Sequence, residues 1–355
     1  MSILIVKSQS HNPFFNLALE DFLLQQMAGV QKDTLQAILY LWQNENTVVI
    51  GRNQNAWAEC KTELLETEGG RLARRTTGGG AVFHDLGNLN FSFLMPQADF
   101  DIGRNFQMIV DTVRRAGVPA ERSGRNDILA DGLKFSGNAF RIDRGVGLHH
   151  GTLLISSAFE RVGRYLTVAP AKMQARGVAS VRSRVTNLNA FRPDLDVAYW
   201  MDRLEEVFLE TQTGSGTTGI IKASTQQPAD VLKASDLDFR QNLLLQNLEE
   251  KFASWDWRFG ETLRFDAELD EHLGWGHIRL GFKVEQGHIS TIRFYSDALD
   301  SDWIAHMEHS LLNLPFRSAI LAQAITASKN MPGGFGVSRA QMAQDLADLI
   351  GSQGW

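Results

Sequence analysis

Apolar positions recur along this chain in blocks whose spacing changes several times, and those changes mark its elements. Residues 3–6, Ile3-Leu4-Ile5-Val6, read as a short strand. Asn12-Pro13 has the form of an N-cap followed by a first-turn proline. Phe14, Leu17, Ala18, Asp21, Phe22 and Gln25 continue it as a helix whose apolar face is mostly buried. Residues 37–42 and 47–51 are apolar strands on either side of Asn44-Glu45-Asn46, which predicts a hairpin. Ala81–His84 and Leu89–Leu94 repeat that pattern around Asp85-Leu86-Gly87-Asn88 and predict a second hairpin. Helical spacing covers residues 105–116, with Gly117 placed to end the helix. His149-His150-Gly151-Thr152-Leu153-Leu154-Ile155 starts another buried strand, and helices return at 196–211 and 237–254.

The stretch at residues 212–228 is rich in Thr, Ser, Gly and Gln, has no apolar rhythm, and is expected to be a mobile insert. Beyond Gly260 the pattern changes to two strands, 277–284 and 288–295, flanking Gln286-Gly287, then helices near 301–313, 316–328 and 338–350. This β-β-α tail reads as a small domain of its own. The expected division is residues 1–258 and 262–355, and the tail, with no motif of its own, is expected to move relative to the rest during turnover.

Composition narrows the class. The chain has 355 residues, enough for two domains and a sizeable core. It is 43% hydrophobic and 21% charged, and its net charge of −6 lacks the basic surplus of a general nucleic-acid binder. The single cysteine, Cys60, excludes an internal disulfide framework. The N-terminal segment lacks a signal-peptide layout and no long apolar run suggests a membrane span, so the expectation is a cytoplasmic protein that binds neither nucleic acid nor membrane.

Chemistry-bearing residues gather in one stretch. Arg71, Arg74 and Arg75 lead into Thr76-Thr77-Gly78-Gly79-Gly80, then Ala81-Val82-Phe83-His84-Asp85-Leu86-Gly87-Asn88. Bared amides in a glycine turn beside arginines make an anion site; the same residues also suit a plain glycine-rich hairpin. Gly214-Ser215-Gly216-Thr217-Thr218-Gly219 matches the dinucleotide pattern by letter, but it follows a helix and precedes none, so it is set aside. There is no P-loop, no paired zinc-binding cysteines and no Gly-x-Ser-x-Gly elbow. Cys60, placed at the start of a helix and away from His149-His150, is expected to be a structural thiol.

Several separated segments then agree. Arg74–Asn88, Ser123-Gly124-Arg125-Asn126-Asp127, Lys134-Phe135-Ser136-Gly137-Asn138-Ala139, His149–Leu154 and Val181-Arg182-Ser183-Arg184-Val185-Thr186-Asn187-Leu188 together resemble the lipoate–protein ligase A family, in its long bacterial form. Asn12–Ala18, Leu41-Trp42-Gln43-Asn44 and Ser254-Trp255-Asp256-Trp257 also fit. The resemblance implies an α+β, class II synthetase-like catalytic domain with mixed and antiparallel sheets and flanking helices, plus a small α+β accessory domain. It implies that ATP and Mg²⁺ activate free (R)-lipoate to lipoyl-adenylate, and that the lipoyl group passes to a lysine of lipoyl domains: E2 subunits of 2-oxoacid dehydrogenases and the glycine-cleavage H protein. A monomer is expected.

By position in the family motifs, Lys134 is the catalytic residue, stabilising charge on the phosphate and carbonyl oxygens. Trp42, Arg75, Thr77, Gly78, Gly79, Gly80, His84 and His150 are the implied lipoate contacts, with Ala81, Val82 and Phe83 able to line an apolar slot. Arg75, Gly80, Val82, Phe83, Asn88, Asn126, Asp127, Lys134, Val178, Ser180, Val181 and Arg182 are the implied ATP and adenylate contacts, and Asp127 is the carboxylate for Mg²⁺. His84, His149 and His150 are the candidate bases for the incoming amine, with none chosen. The rival readings are an ATP-independent octanoyl or lipoyl transferase working through a cysteine thioester, a biotin–protein ligase, and a lipoate-binding protein without ligase activity.

Overall fold

Alternation along the central strands dictates the architecture. In β1 (Ser2–Lys7), Ile3 and Ile5 face one side and Leu4 and Val6 the other, and all four are buried, so the sheet must be covered on both faces. The computed structural model describes residues 2–29, 35–167, 185–213, 217, 219–224, 243–259, 267–285, 287–331 and 337–354. After β1 come α1 (Pro13–Gly29), β2 (Leu35–Trp42), β3 (Thr47–Ile50), α2 (Ala56–Glu59), α3 (Thr62–Thr67), β4 (Arg71–Arg74), β5 (Val82–His84), β6 (Asn88–Pro96) and α4 (Ile102–Arg115). Then follow β7 (Ala120–Ser123), β8 (Asp127–Ala130), β9 (Leu133–Asp143), β10 (Val146–Leu154), α5 (Phe159–Tyr165), α6 (Val197–Gln212), β11 (Gly219–Ser224), α7 (Leu243–Ala253) and α8 (Trp255–Phe259). The tail holds β12 (Ala267–Leu273), β13 (Gly276–Glu285), β14 (His288–Ser296), α9 (Ser301–Leu311), α10 (Ser318–Ala327) and α11 (Arg339–Gly351).

The main sheet is eight-stranded in the order β11-β1-β2-β6-β10-β9-β8-β7. Its β11-β1-β2 edge is parallel and the remaining pairings are antiparallel. Helices α4 and α6 close one face through Phe106, Ile109, Trp200 and Phe208 against Ile3, Leu39, Phe91 and Phe93. Helices α1 and α7 close the other through Leu17, Phe22, Leu245 and Phe252 against Leu4, Ile38, Tyr40, Trp42 and Leu148. A second sheet, β4-β3-β5, carries its own small core of Val48, Ile50, Leu72, Phe83, Cys60 and Tyr165. This is the α+β arrangement with flanking helices that the sequence implied.

Two pairings differ from expectation. The strands around Asn44-Glu45-Asn46 do not form a hairpin: β2 joins the main sheet between β1 and β6, while β3 pairs with β4 and β5. The strands around Asp85–Asn88 part in the same way, β5 to the small sheet and β6 to the large one. Each turn therefore steps from one sheet to the other. The presumed insert contributes structure too: Gly219–Ser224 is β11, parallel to β1, with Ile220 opposite Ile3 and Lys222 opposite Ile5. A parallel partner distant in sequence leaves no local signal. Residues 214–216, 218 and 225–228 of that stretch lie outside the described ones.

The tail is a three-stranded antiparallel sheet, β12-β13-β14, packed on α9, α10 and α11 through Trp275, Phe282, Trp303, Met307 and Leu346. Strand β12 went unforeseen because its run Glu268–His272 is mostly charged and exposed. Among the described residues, hydrogen bonds and ion pairs from the tail to the rest of the chain gather at Ser296–Asp302. Asn53 O accepts from Ser296 N at 2.8 Å, Ala298 O accepts from Gly79 N at 3.1 Å, and Arg52 pairs with Asp302 at 2.9 Å. A Cβ on Gly78 would lie 2.0 Å from Ala298 O, closer than any side chain can sit. Gly78→Ala is therefore expected to push the 298–299 segment off the turn while both cores stay folded. Solution scattering should show a larger radius of gyration than wild type; superimposable profiles would count against this docking.

Candidate active site

The polar residues of the site form a row across the α1-facing side of the main sheet. Alternation puts Asn88, Asn90 and Ser92 of β6 on that side, and register sets Ser92 opposite His150 and Asn90 opposite Thr152 of β10. The next strand continues the row: Gly137 N of β9 donates to Thr152 Oγ1 at 3.2 Å. Lys134 lies over that glycine, since a Cβ there would meet its Nζ at 3.2 Å. Lys134 Nζ also pairs with Asp127 at the start of β8, at 2.7 Å.

At the other end the row is sealed by α1. Glu20 is 2% exposed and accepts from His150 Nδ1 at 2.9 Å and from the Ser92 hydroxyl. Trp42 Nε1 donates to Ser92 Oγ at 3.2 Å. On its far side, His150 Nε2 lies 2.7 Å from Thr77 Oγ1. With Nδ1–H directed at the carboxylate, Nε2 accepts and the threonine hydroxyl donates. Sequence reasoning missed Glu20; its signal was an acidic residue inside the apolar run Leu17–Leu24. It also missed Ser92 and Asn90, polar residues alternating along a strand otherwise apolar.

The carbonyl side of the glycine turn is held by Arg75. Its Nε donates to Thr77 Oγ1 at 3.2 Å and to Gly78 O at 3.1 Å, Nη1 to Val49 O at 3.2 Å, and Nη2 to Gly78 O at 2.7 Å and Gly80 O at 2.8 Å. Arg74 is spent in the same way, on the carbonyls of Gly51, Arg52, Gln54, Trp257 and Arg258. Burial lowers both guanidinium pKa values to about 10, which leaves them charged at neutral pH. Gly79 takes a φ of 91° and packs its carbonyl where any Cβ on Gly51 would be, 2.1 Å away.

Histidine roles separate by face. His149 points away from the row, among Phe91, Phe93, Phe106 and Phe140, with Nε2 on Asn138 Oδ1 at 2.9 Å. Burial in that cage holds its pKa well below the usual range, so it is a neutral core residue and not a base for an amine on the other face. His84 is buried beside Trp42, ring centroids 6.3 Å apart, and burial, together with the Arg75 charge, lowers its pKa to about 3. Val82 shares its side of β5, whereas Phe83 turns into the small-sheet core and can offer the row only its main chain.

Several of the residues expected to contact nucleotide converge at Lys134. Asn126 O accepts from both Asn138 N at 2.9 Å and Asn138 Nδ2 at 3.1 Å, which fixes the Ser123–Asp127 turn against β9. Val185 bridges to Lys134, and Thr186 N donates to Lys134 O at 2.8 Å. Val178, Ser180, Val181 and Arg182 lie outside the described residues. Among the described residues, no group of three or more His, Cys, Asp or Glu side chains converges on a metal site. The lone Asp127 carboxylate suits a magnesium ion that arrives already held by nucleotide phosphates.

Cys60 caps the end of α2 rather than starting a helix, and sits buried in the small-sheet core. Burial pushes its thiol up to about 12, so it is not a thiolate nucleophile. Cys60→Ala is expected to keep activity within about twofold while costing about 1 kcal/mol of stability. Loss of activity in a folded Cys60→Ala protein would revive the thioester route.

Comparison with known proteins places the chain. Residues 12–209 match the lipoyl protein ligase A/B catalytic domain, and residues 262–350 match the bacterial lipoate protein ligase C-terminus. The chain belongs to the lipoyl protein ligase A/B family. It is a ligase, similar to the lipoate-protein ligase A of Psychrobacter cryohalolentis at 39% identity over 318 residues, 89% of each chain. Plasmodium falciparum LipL1, solved with lipoate, superimposes with a TM-score of 0.81 at 28% identity, over 99% of this chain and all of that one. A lipoate-protein ligase A bound with ATP aligns at TM-score 0.56 and 25% identity, over 73% of this chain and 98% of that one. A bipartite Thermoplasma acidophilum ligase, described with its E2 lipoyl domain, aligns at 0.58 and 25%, over 75% and 99%. Among the described residues no helix is long and apolar enough to cross a membrane.

Proposed function

We propose that this protein activates free lipoate with ATP and transfers the lipoyl group to a lysine of lipoyl domains, those of 2-oxoacid dehydrogenase E2 subunits and the H protein. In the first step a lipoate carboxylate oxygen attacks the α-phosphorus and pyrophosphate leaves. In the second the acceptor amine attacks the acyl carbon, AMP leaves, and the amine loses a proton. The observation that carries this reading is the placement of Lys134. Its ammonium stands at the open end of a polar row whose closed end, Trp42, His150 and Glu20, is shielded by α1. An acyl chain lying along the row from Trp42 would bring its carboxylate to that ammonium. There the ammonium would offset charge growing on phosphate and carbonyl oxygens.

Asp127 now pairs with Lys134 and would turn to nucleotide-bound Mg²⁺, freeing the lysine for phosphate. The ordered main chain at Val185–Thr186 supports an adenylate contact beside Lys134. The two separate cores support a division near residues 258 and 262, and a cytoplasmic reaction fits a need for ATP. Incubating the protein with ATP, Mg²⁺, lipoate and an apo lipoyl domain, followed by intact-mass spectrometry, is expected to show one lipoyl addition that requires ATP. Addition without ATP would indicate a transferase, and binding of lipoate with no addition and no pyrophosphate would indicate a carrier.

A further inference from the structure

A chain of buried side-chain amides runs from α1 to His84, and its direction is fixed at its root. Asn16 Nδ2 faces two main-chain carbonyls, Ser10 O and Gln43 O, each at 2.9 Å, so this nitrogen is the amide NH₂. Its oxygen accepts from Ser8 Oγ at 2.7 Å and from Tyr40 OH at 3.1 Å, which agrees. Asn16 Nδ2 also lies 3.0 Å from Asn44 Oδ1, and a flipped Asn44 would set two NH₂ groups face to face. Asn44 therefore presents its own NH₂ to His84 Nδ1, at 3.2 Å. A ring nitrogen that accepts carries no proton. In a neutral imidazole the proton then sits on Nε2, which is buried and has no hydrogen-bond partner among the described residues.

We infer that Asn44 is a positioning residue that fixes His84 as a neutral Nε2–H donor for an acyl oxygen of the substrate. The inference rests on the ligase reading above. A buried N–H without a partner is costly, and two polar groups beside the ring already have theirs: Trp42 on Ser92 and Arg75 on carbonyls. A carboxylate or acyl carbonyl is the acceptor class the proposed reaction brings here. The same lock bars His84 from serving as the base for the amine, because its Nε2 has no lone pair to offer. Burial beside Arg75 keeps the ring neutral.

The test uses the full chain labelled with ¹⁵N-histidine, and His84→Gln identifies the His84 signals. Long-range ¹H–¹⁵N spectra at neutral pH are expected to show a singly protonated ring with the proton on Nε2, and lipoate alone should move that proton downfield. A proton on Nδ1, a doubly protonated ring, or a proton indifferent to lipoate overturns the inference. Asn44→Asp replaces the donor by a carboxylate, which should draw the proton to Nδ1. Lipoate-dependent pyrophosphate formation should then fall about 10²-fold with the KM for ATP little changed. A wild-type rate in Asn44→Asp protein whose spectrum shows the shifted proton also overturns it. If the wild-type protein forms no pyrophosphate with lipoate, the ligase reading fails, and with it the role toward an acyl oxygen; the ring spectrum still decides the tautomer.

Discussion

Lys134→Ala should abolish lipoate-dependent pyrophosphate release, by about 10³-fold or more, while lipoate binding measured without ATP changes by less than about threefold. The split follows from geometry. Lys134 is half-exposed at the open end of the row, its ammonium paired with Asp127, and none of the contacts described at the Trp42–His150 end pass through it. Its charge meets the substrate where new negative charge forms, so its removal is felt in the rate and not in ground-state affinity. Arginine should rescue poorly, because a planar fork cannot occupy the narrow path over Gly137. That path supplies a paired test. Gly137→Ala puts a methyl 3.2 Å from the ammonium and its neighbouring methylene, close enough to move a flexible side chain without disturbing the strand. The expected result is about a tenfold slower first step at unchanged thermal stability. Equal losses of binding and rate in Lys134→Ala, or a wild-type first step in that variant, would remove the lysine from the transition state.

What the sequence made legible follows the range of its signals. Local periodicity and caps placed α1 after Asn12, α4 before Gly117 and the tail helices α9 to α11 within a few residues. Partners were not legible. Asn44-Glu45-Asn46 has turn chemistry, with Asn46 at a φ of 40°, yet nothing local says that its flanking strands belong to different sheets. Motif residues brought Trp42, Thr77, His150, Asn126, Asp127 and Lys134 onto one sheet face or its edges. The roles of the arginines were not readable, because a guanidinium that grips phosphate and one that grips carbonyls look alike in sequence. Glu20 and Asn44 were unreadable for a related reason. Each is polar because of buried partners, His150 and Ser92 for Glu20 and Asn16 and His84 for Asn44, that lie far away along the chain.

Arg75→Met is expected to act through the fold of the turn, opposite in signature to Lys134→Ala. The guanidinium is buried and fills three main-chain acceptors, Val49 O, Gly78 O and Gly80 O, as well as the Thr77 hydroxyl. Methionine leaves those acceptors dry and unpaired, which costs about 3 to 5 kcal/mol. The loss also removes a positive charge that faces the Glu20 carboxylate, so the His150–Glu20–Ser92 cluster loses its counter-charge. Thr77 then has no donor to hold it against His150, and the turn that carries Gly78 and Gly79 loses its shape. Thermal denaturation should shift down by several degrees, and lipoate affinity should fall more than about tenfold even where the protein remains folded. At saturating lipoate the surviving fraction should still form pyrophosphate, because Lys134 and Asp127 are untouched. Lysine should recover little, since one ammonium cannot span carbonyls on both sides of the turn. An Arg75→Met protein with unchanged melting and unchanged lipoate affinity, but weakened ATP binding, would return this arginine to the role of a phosphate grip.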